Sequence, residues 1–262
     1  MTTSELQIDA PGPVRTHTAG YSVRLAVSQD DVLAAQRLRD QVFSGEGGAH
    51  TPGPAGVDQE EYDDRCDHLI VWHRSPSGSA QAVATYRLFP PHGNDASPRG
   101  SALYADREFG LMPLERLLDS TVEAGRGCVH PAHRTGAAVS LLWGGVARYT
   151  HLTGYRYLLG CASMDLRDGG RNAASFWDLA LARYLAPAER RCRPRRPIAI
   201  GSLERAESLR IPPLLAGYLR LGAQVCGPPA YDDMFGTADF LVLLDLRIAE
   251  PRYLRRFLGR DA

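Results

Sequence analysis

The residues best placed to do chemistry lie between Val122 and Ala138, in the stretch VEAGRGCVHPAHRTGAA. It reads as a glycine-interrupted strand carrying Glu123 and Arg126, a turn at Pro131, and a helix opening on Thr135 and Gly136. A strand that passes through a small-residue turn into a helix leaves unpaired backbone N–H groups at the positive end of the helix dipole. The segment holding Val129, Arg134, Thr135, Gly136, Ala137 and Ala138 is therefore a seat for a phosphate or pyrophosphate. A carboxylate one strand-length from such a seat predicts transfer chemistry on a phosphopantetheine thioester.

Making an amide from a thioester needs a neutral amine, a carbonyl held beside it and donors for the developing oxyanion. An α-amine is mostly protonated near neutral pH, so a base must take a proton directly or through water. Glu123 is the candidate base, and a strand-end ion pair with Arg126 is the plain alternative. Residues three apart on a regular strand point to opposite faces. A bulge at Gly125 or Gly127 would turn Glu123 and Arg126 to one side and free a backbone N–H for the carbonyl. His130 and His133 beside Cys128 lack a fourth ligand at suitable spacing, so they read as a turn and no metal is expected. Cys161 has no histidine partner in view and reads as packing.

The elements that must position these groups follow from the rest of the chain. At 262 residues, 44% hydrophobic and 23% charged, it can bury a full core. Its formal net charge of +0 gives no reason to expect nucleic acid as a partner. All 30 basic residues are arginine, which excludes Schiff-base and lysine general-base chemistry. The 5 cysteines form no CxxC pair and fit a reducing cytosol. No secretory leader and no run long enough to span a membrane is visible.

Residues 1–20 read as a disordered tail, and residues 21–250 as one domain. Tyr21–Val27 alternates as a strand, and Ser28 or Asp30 caps a helix running to Phe43. Ser44–Gly56 (SGEGGAHTPGPAG) reads as a mobile loop that closes over ligand. His68–His73 and Ala80–Phe89 form a hairpin, the Glu123 strand and a helix over 136–152 follow, and Tyr155–Cys161 is the next strand. Gly144, Gly145 and Ala147 would let that helix approach a sheet closely. Helices over 172–184 and 212–221 and a strand over 240–246 complete the pattern. Residues 251–262 read as a short basic amphipathic helix. This order predicts an α/β (α+β) mixed-sheet fold.

The strand-turn-helix stretch resembles the acyl-donor motif of the GNAT acyltransferase superfamily, with His133-Arg134-Thr135-Gly136-Ala137-Ala138 in place of its usual Gln/Arg start. Further segments are similar to the acyl carrier protein-dependent branch, which holds the acyl-homoserine lactone synthases and the ornithine Nα-acyltransferases. These are Arg39 with Phe43, Glu60-Glu61-Tyr62-Asp63, Arg87-Leu88-Phe89-Pro90, and Glu123 with Arg126. A tryptophan typical of the lactone synthases, shortly after the phenylalanine, is absent. Cys66–Val71 and Ile211–Ala230 look specifically like the ornithine enzymes.

The resemblance implies a GNAT-like N-acyltransferase that moves a (3-hydroxy)acyl group from acyl carrier protein to the α-amine of L-ornithine, the first step of ornithine lipid synthesis. The other readings are an acyl-homoserine lactone synthase, or a degenerate domain that binds carrier protein or lipid without catalysis. It implies Glu123 and Arg126 as catalytic residues and Arg39, Phe43, Glu60, Asp63 and Arg87 as substrate-binding residues. Arg39 and Arg87 would hold the acceptor carboxylate or carrier phosphate, or else form surface ion pairs, and Glu60 and Asp63 would receive the second amine or else be solvated loop acids. No bound cofactor is expected, since the donor rides on carrier phosphopantetheine. Arg190, Arg191, Arg193, Arg195 and Arg196 are five arginines in seven residues, able to dock an acidic carrier, to meet an anionic membrane surface, or to form a solvated loop. The expected location is cytoplasmic, with peripheral attachment to the inner membrane face.

Overall fold

The computed structural model describes residues 8–9, 20–91, 103–134 and 136–248. The chain forms two compact units, one of Met1–Asp95, Ala124–Tyr155 and Leu254–Ala262, the other of Ala96–Glu123 and Arg156–Tyr253.

In the first unit, β1 (Ile8–Asp9), β2 (Tyr21–Leu25), β3 (Asp67–Arg74) and β4 (Ala80–Phe89) pair antiparallel in sequence order. The Ala124–Val129 part of a later strand lies beside β4. Two residues of the expected disordered tail, Ile8 and Asp9, thus take part in a sheet. Helix α1 (Gln29–Gly47) opens on Ser28, whose side chain accepts the Asp31 N–H, and closes on Gly48 in the left-handed region. The helix runs past Phe43, because Ser44–Gly47 keep helical geometry until a glycine can supply the positive φ of a cap. The chain that follows is tied back: Thr51 donates to the Asp40 carboxylate and Gln59 N–H to the Pro52 carbonyl.

Ala35, Leu38 and Val42 of α1 pack with Ile70, Ala82 and Cys128. The later helix spanning Gly136–Thr153 packs where a Cβ on Gly145 would stand 2.6 Å from Leu69 and 3.1 Å from Val23. Leu69 and Ile70 are neighbours on β3 and point to opposite faces, so the two helices cover the two sides of the sheet.

In the second unit, β5 (Phe109–Gly110) and α2 (Glu115–Leu118) precede β6 (Thr121–Val129), the strand whose second part belongs to the first unit. The Gly136–Thr153 helix is therefore α3. β6 pairs parallel with β7 (Tyr157–Asp165) at Thr121↔Tyr157, Val122↔Leu158 and Glu123↔Leu159. After α4 (Arg171–Arg183), β8 (Arg193–Pro194), α5 (Pro213–Leu221), β9 (Gln224–Val225) and β10 (Ala230–Asp232), β11 (Thr237–Asp245) runs antiparallel to β7 along its whole length. Phe176 of α4 meets Phe240 of β11 edge to face, with ring centroids 4.8 Å apart. In this unit the parallel β6–β7 pair beside the antiparallel β7–β11 pair makes the sheet mixed, as the order of elements predicts. Among the described residues no helix is long and apolar enough to cross a membrane. The expected tail helix over 251–262 lies outside the described residues.

Candidate active site

Arg39, Glu60, Asp63, Arg87 and Arg126 come together in the first unit, with Phe43 at their side. Arg39 is held by α1, Arg87 by β4 and Arg126 by β6, while the carboxylates lie between α1 and β3. Arg39 Nε stands 2.7 Å from Asp58 Oδ2, and its Nη2 is 2.7 Å from Asp63 Oδ2. Arg87 Nη1 donates to Glu60 Oε2 at 2.6 Å and to Asp63 Oδ1 at 3.1 Å. Arg126 forks onto Glu60, with Nη2 at 2.6 Å from Oε1 and Nε at 3.1 Å from Oε2. Its Nη1 is 3.5 Å from Asp58 Oδ1. The Arg126 guanidinium lies 5.9 Å from the Phe43 ring centre, and that of Arg87 lies 5.6 Å from Tyr62.

Arg39, Arg87 and Arg126 face carboxylates of this chain, and Glu60 and Asp63 are not solvated loop acids, their side chains being 5% and 2% exposed. Three guanidiniums and three carboxylates balance, so an added anion or ammonium would have to break an existing pair. Both oxygens of Glu60 and of Asp63 already face arginine. The cluster is a frame that joins α1, β4 and β6.

Burial works to raise Asp63 and Glu60, but their arginine neighbours outweigh it and hold both below the ordinary carboxylate range. For Asp58 burial wins over Arg126 and Arg39, and its carboxyl is raised. His68 of β3, which hydrogen-bonds the Asp63 carbonyl through Nε2, is lowered by burial and stays neutral. Asp58, Gln36 and His68 are members that the sequence did not announce. Gln36 donates to Asp63 at 2.8 Å, a role hidden inside an otherwise apolar helix period.

Arg126 takes φ 53, the one non-glycine residue in the left-handed region among the described residues. A bulge is expected at Gly125 or Gly127, and the left-handed backbone falls instead on the arginine between them. Such a backbone costs about 1–3 kcal/mol and persists when its surroundings over-determine it. Here the fork onto Glu60 does so.

Glu123 belongs to the second unit. Its Oε2 accepts the Tyr104 N–H and its Oε1 the Ala105 N–H, each at 2.7 Å. These bonds fix the carboxylate and the turn Tyr104–Arg107 together.

The turn expected to seat a phosphate is built as strand, 3₁₀ turn Pro131–His133 and α3. Arg134 donates to the Val129 carbonyl at 3.2 Å, Gly136 and Ala137 open α3, and Ala138 is buried in it. Thr135 lies outside the described residues. His133 Nδ1 pairs with Tyr21 at 2.8 Å and His130 Nε2 with Gln41 at 3.1 Å, while Cys128 is buried against α1. The His130 and His133 rings lie edge to face with centroids 5.5 Å apart. In the arginine loop, Arg195 is paired with Asp106 and Arg196 with Asp233, both at the surface.

Glu108, missed in the sequence, ends the turn that Glu123 holds. Burial, then the charges of Asp239 and Asp232, push its carboxyl up to about 9 from an ordinary 4.5. A group raised on folding contributes stability that is present below its unfolded value and is lost as pH rises through the folded one. Glu108→Gln should therefore match wild type near pH 4, below the unfolded value, and become progressively the more stable protein toward pH 9. Denaturant unfolding at both pH values measures this, and parallel pH profiles would show that Glu108 ionises normally.

Residues 38–144 match the family model described as an acetyltransferase (GNAT) domain. The chain is 34% identical to the L-ornithine N(alpha)-acyltransferase of Rhodobacter capsulatus over 92% of its own length and 97% of the relative's. It is 31% identical to the L-ornithine N(alpha)-acyltransferase of Brucella abortus, over 92% of this chain and 89% of that one. Among solved structures, the acyl-homoserine lactone synthase LasI aligns with TM-score 0.51 at 11% identity, covering 89% of this chain and 94% of that one. That last likeness shows the fold alone.

Proposed function

We propose that this chain, which belongs to the L-ornithine N(alpha)-acyltransferase family, joins an acyl group from a carrier-bound thioester to the α-amine of L-ornithine. Family membership also makes it an acyltransferase with a GNAT fold. The amine nitrogen attacks the thioester carbonyl, the tetrahedral intermediate collapses, the C–S bond breaks, and the phosphopantetheine thiol leaves with a proton. Glu123 takes the amine proton and returns it to the departing sulfur. Arg126, tied to Glu60 and Asp58, positions β6 and is not itself in contact with the reacting atoms. The observation that carries this reading is near-full-length similarity to relatives that bear this activity in their names.

The donor is a (3-hydroxy)acyl group on acyl carrier protein, and the product is the first intermediate of ornithine lipid synthesis. The backbone from Val129 to Ala138 receives the pantetheine phosphate end, with Arg134 beside it. Arg191 and Arg193, both exposed, offer an acidic carrier a complementary surface. Arg191→Glu with Arg193→Glu should slow association with carrier protein, and more so at low salt, because steering between exposed charges is screened. Stopped-flow association at two ionic strengths is the measurement. Equal turnover with acetyl-CoA and indifference to carrier protein would sink the donor assignment.

A further inference from the structure

Register in the second unit places several acids on one face of its sheet. Side chains two apart on a strand, and residues directly opposite across a pair, share a face. Glu123 is opposite Leu159, and Cys161 lies two residues on. Leu241 is opposite Cys161, and Asp239 lies two residues before it on β11. Ala230 is opposite Asp239, and Asp232 lies two residues further on β10. So Glu123, Cys161, Asp239 and Asp232 point the same way, while Phe240 points to the other face, where α4 covers it.

Glu108 is brought onto the acidic side by the turn whose amides hold Glu123. Ligand atoms of Glu108, Cys161 and Asp239 all lie within 4.8 Å of one another. Both Glu108 carboxylate oxygens are buried, and the Cys161 thiol is the weak donor beside them. A buried carboxyl with only a thiol beside it is expensive to ionise unless a cation stands there.

We infer that Glu108 and Asp239, backed by Asp232 and with the Cys161 thiol beside them, bind the distal ammonium of the acceptor amine. This rests on the reading above that the acceptor is a diamino acid. An ammonium has three N–H donors, and acceptors about 2.8 Å from a tetrahedral nitrogen stand about 4.6 Å apart, a spacing these atoms can supply. A zinc ion would draw its ligands to about 2.0–2.3 Å and deprotonate the thiol, so zinc binding and ornithine preference call for separate measurements. Glu60 and Asp63, the acids first expected to take this amine, are saturated by arginine. Without a cation Glu108 keeps its proton. An ammonium supplies the charge that allows it to ionise, and the same turn then ties recognition of the distal amine to the carboxylate of Glu123.

The test uses the full-length protein and compares kcat/KM for L-ornithine with that for L-norvaline, which has the same carbon chain and no distal amine. Wild type should favour ornithine strongly. In Glu108→Gln and Asp239→Asn the ratio should fall about 10²-fold, carried mostly by a higher KM for ornithine. Two variants guard against one that fails to fold. If wild type acylates ornithine and both variants keep its preference, the inference is overturned and the proposed reaction stands. If wild type does not acylate ornithine, both fall. Stoichiometric zinc in equilibrium dialysis, lost in Cys161→Ser while the ornithine preference stays intact, would overturn the ammonium in favour of a metal.

Discussion

Arg39→Met should destabilise the protein by about 3–5 kcal/mol, the usual cost of removing one partner from a buried ion pair. Methionine keeps most of the volume, so the loss is electrostatic. Asp58 and Asp63 would remain buried beside each other without the guanidinium that now lies 2.7 Å from both. Against a total of about 5–15 kcal/mol for a folded domain, this is enough to populate unfolded chain near physiological temperature. Asp58→Asn in the same background should recover part of the loss, because Asp58 is the member that burial already pushes toward the neutral form. The gap between variant and wild type should also narrow as pH falls and the orphaned carboxylates take up protons. Denaturant unfolding of the three proteins at neutral and mildly acid pH measures both effects. A loss below about 1 kcal/mol would mean that the pair behaves as a surface ion pair.

What the chain made legible, and what it hid, divides along the range of the interactions. Ser28 signals the start of α1 because its hydroxyl serves an amide three residues away. The strand, turn and helix from Glu123 to α3 are likewise announced by nearby residues. Helix α1 was expected to stop at Phe43 since glycines weaken a helix, but capping geometry waited for Gly48. Arg39, Glu60, Asp63, Arg87 and Arg126 stood out through their motifs as residues that belong together. Their motifs could not say that the charges would satisfy one another, because the pairing joins residues far apart in sequence and depends on burial. Asp58 carries no motif and is known only by its contacts. Glu108 was hidden for the same reason, its neighbours coming from β7, β10 and β11. Even Arg126 hid part of its role: the glycines beside it do not announce that the arginine itself takes the left-handed conformation and forks onto Glu60.

Glu123→Gln should lower kcat by about 10²–10⁴-fold, the range over which a general base contributes. The chain has no lysine to substitute. Glu60 and Asp63 are held in their ionised form by arginine and are poor proton acceptors. The structure adds a second consequence that shape alone would not predict. The Glu123 oxygens accept the N–H groups of Tyr104 and Ala105, and a glutamine must turn its NH₂ toward one of them. An unsatisfied buried donor costs about 1–3 kcal/mol, so the melting temperature should fall together with the rate. The two effects separate when single-turnover acyl transfer is followed at a temperature where circular dichroism shows the variant fully folded. A rate deficit that persists there belongs to the chemistry. If the folded variant transfers acyl groups at nearly the normal rate, Glu123 is the anchor of the Tyr104–Arg107 turn and solvent removes the proton.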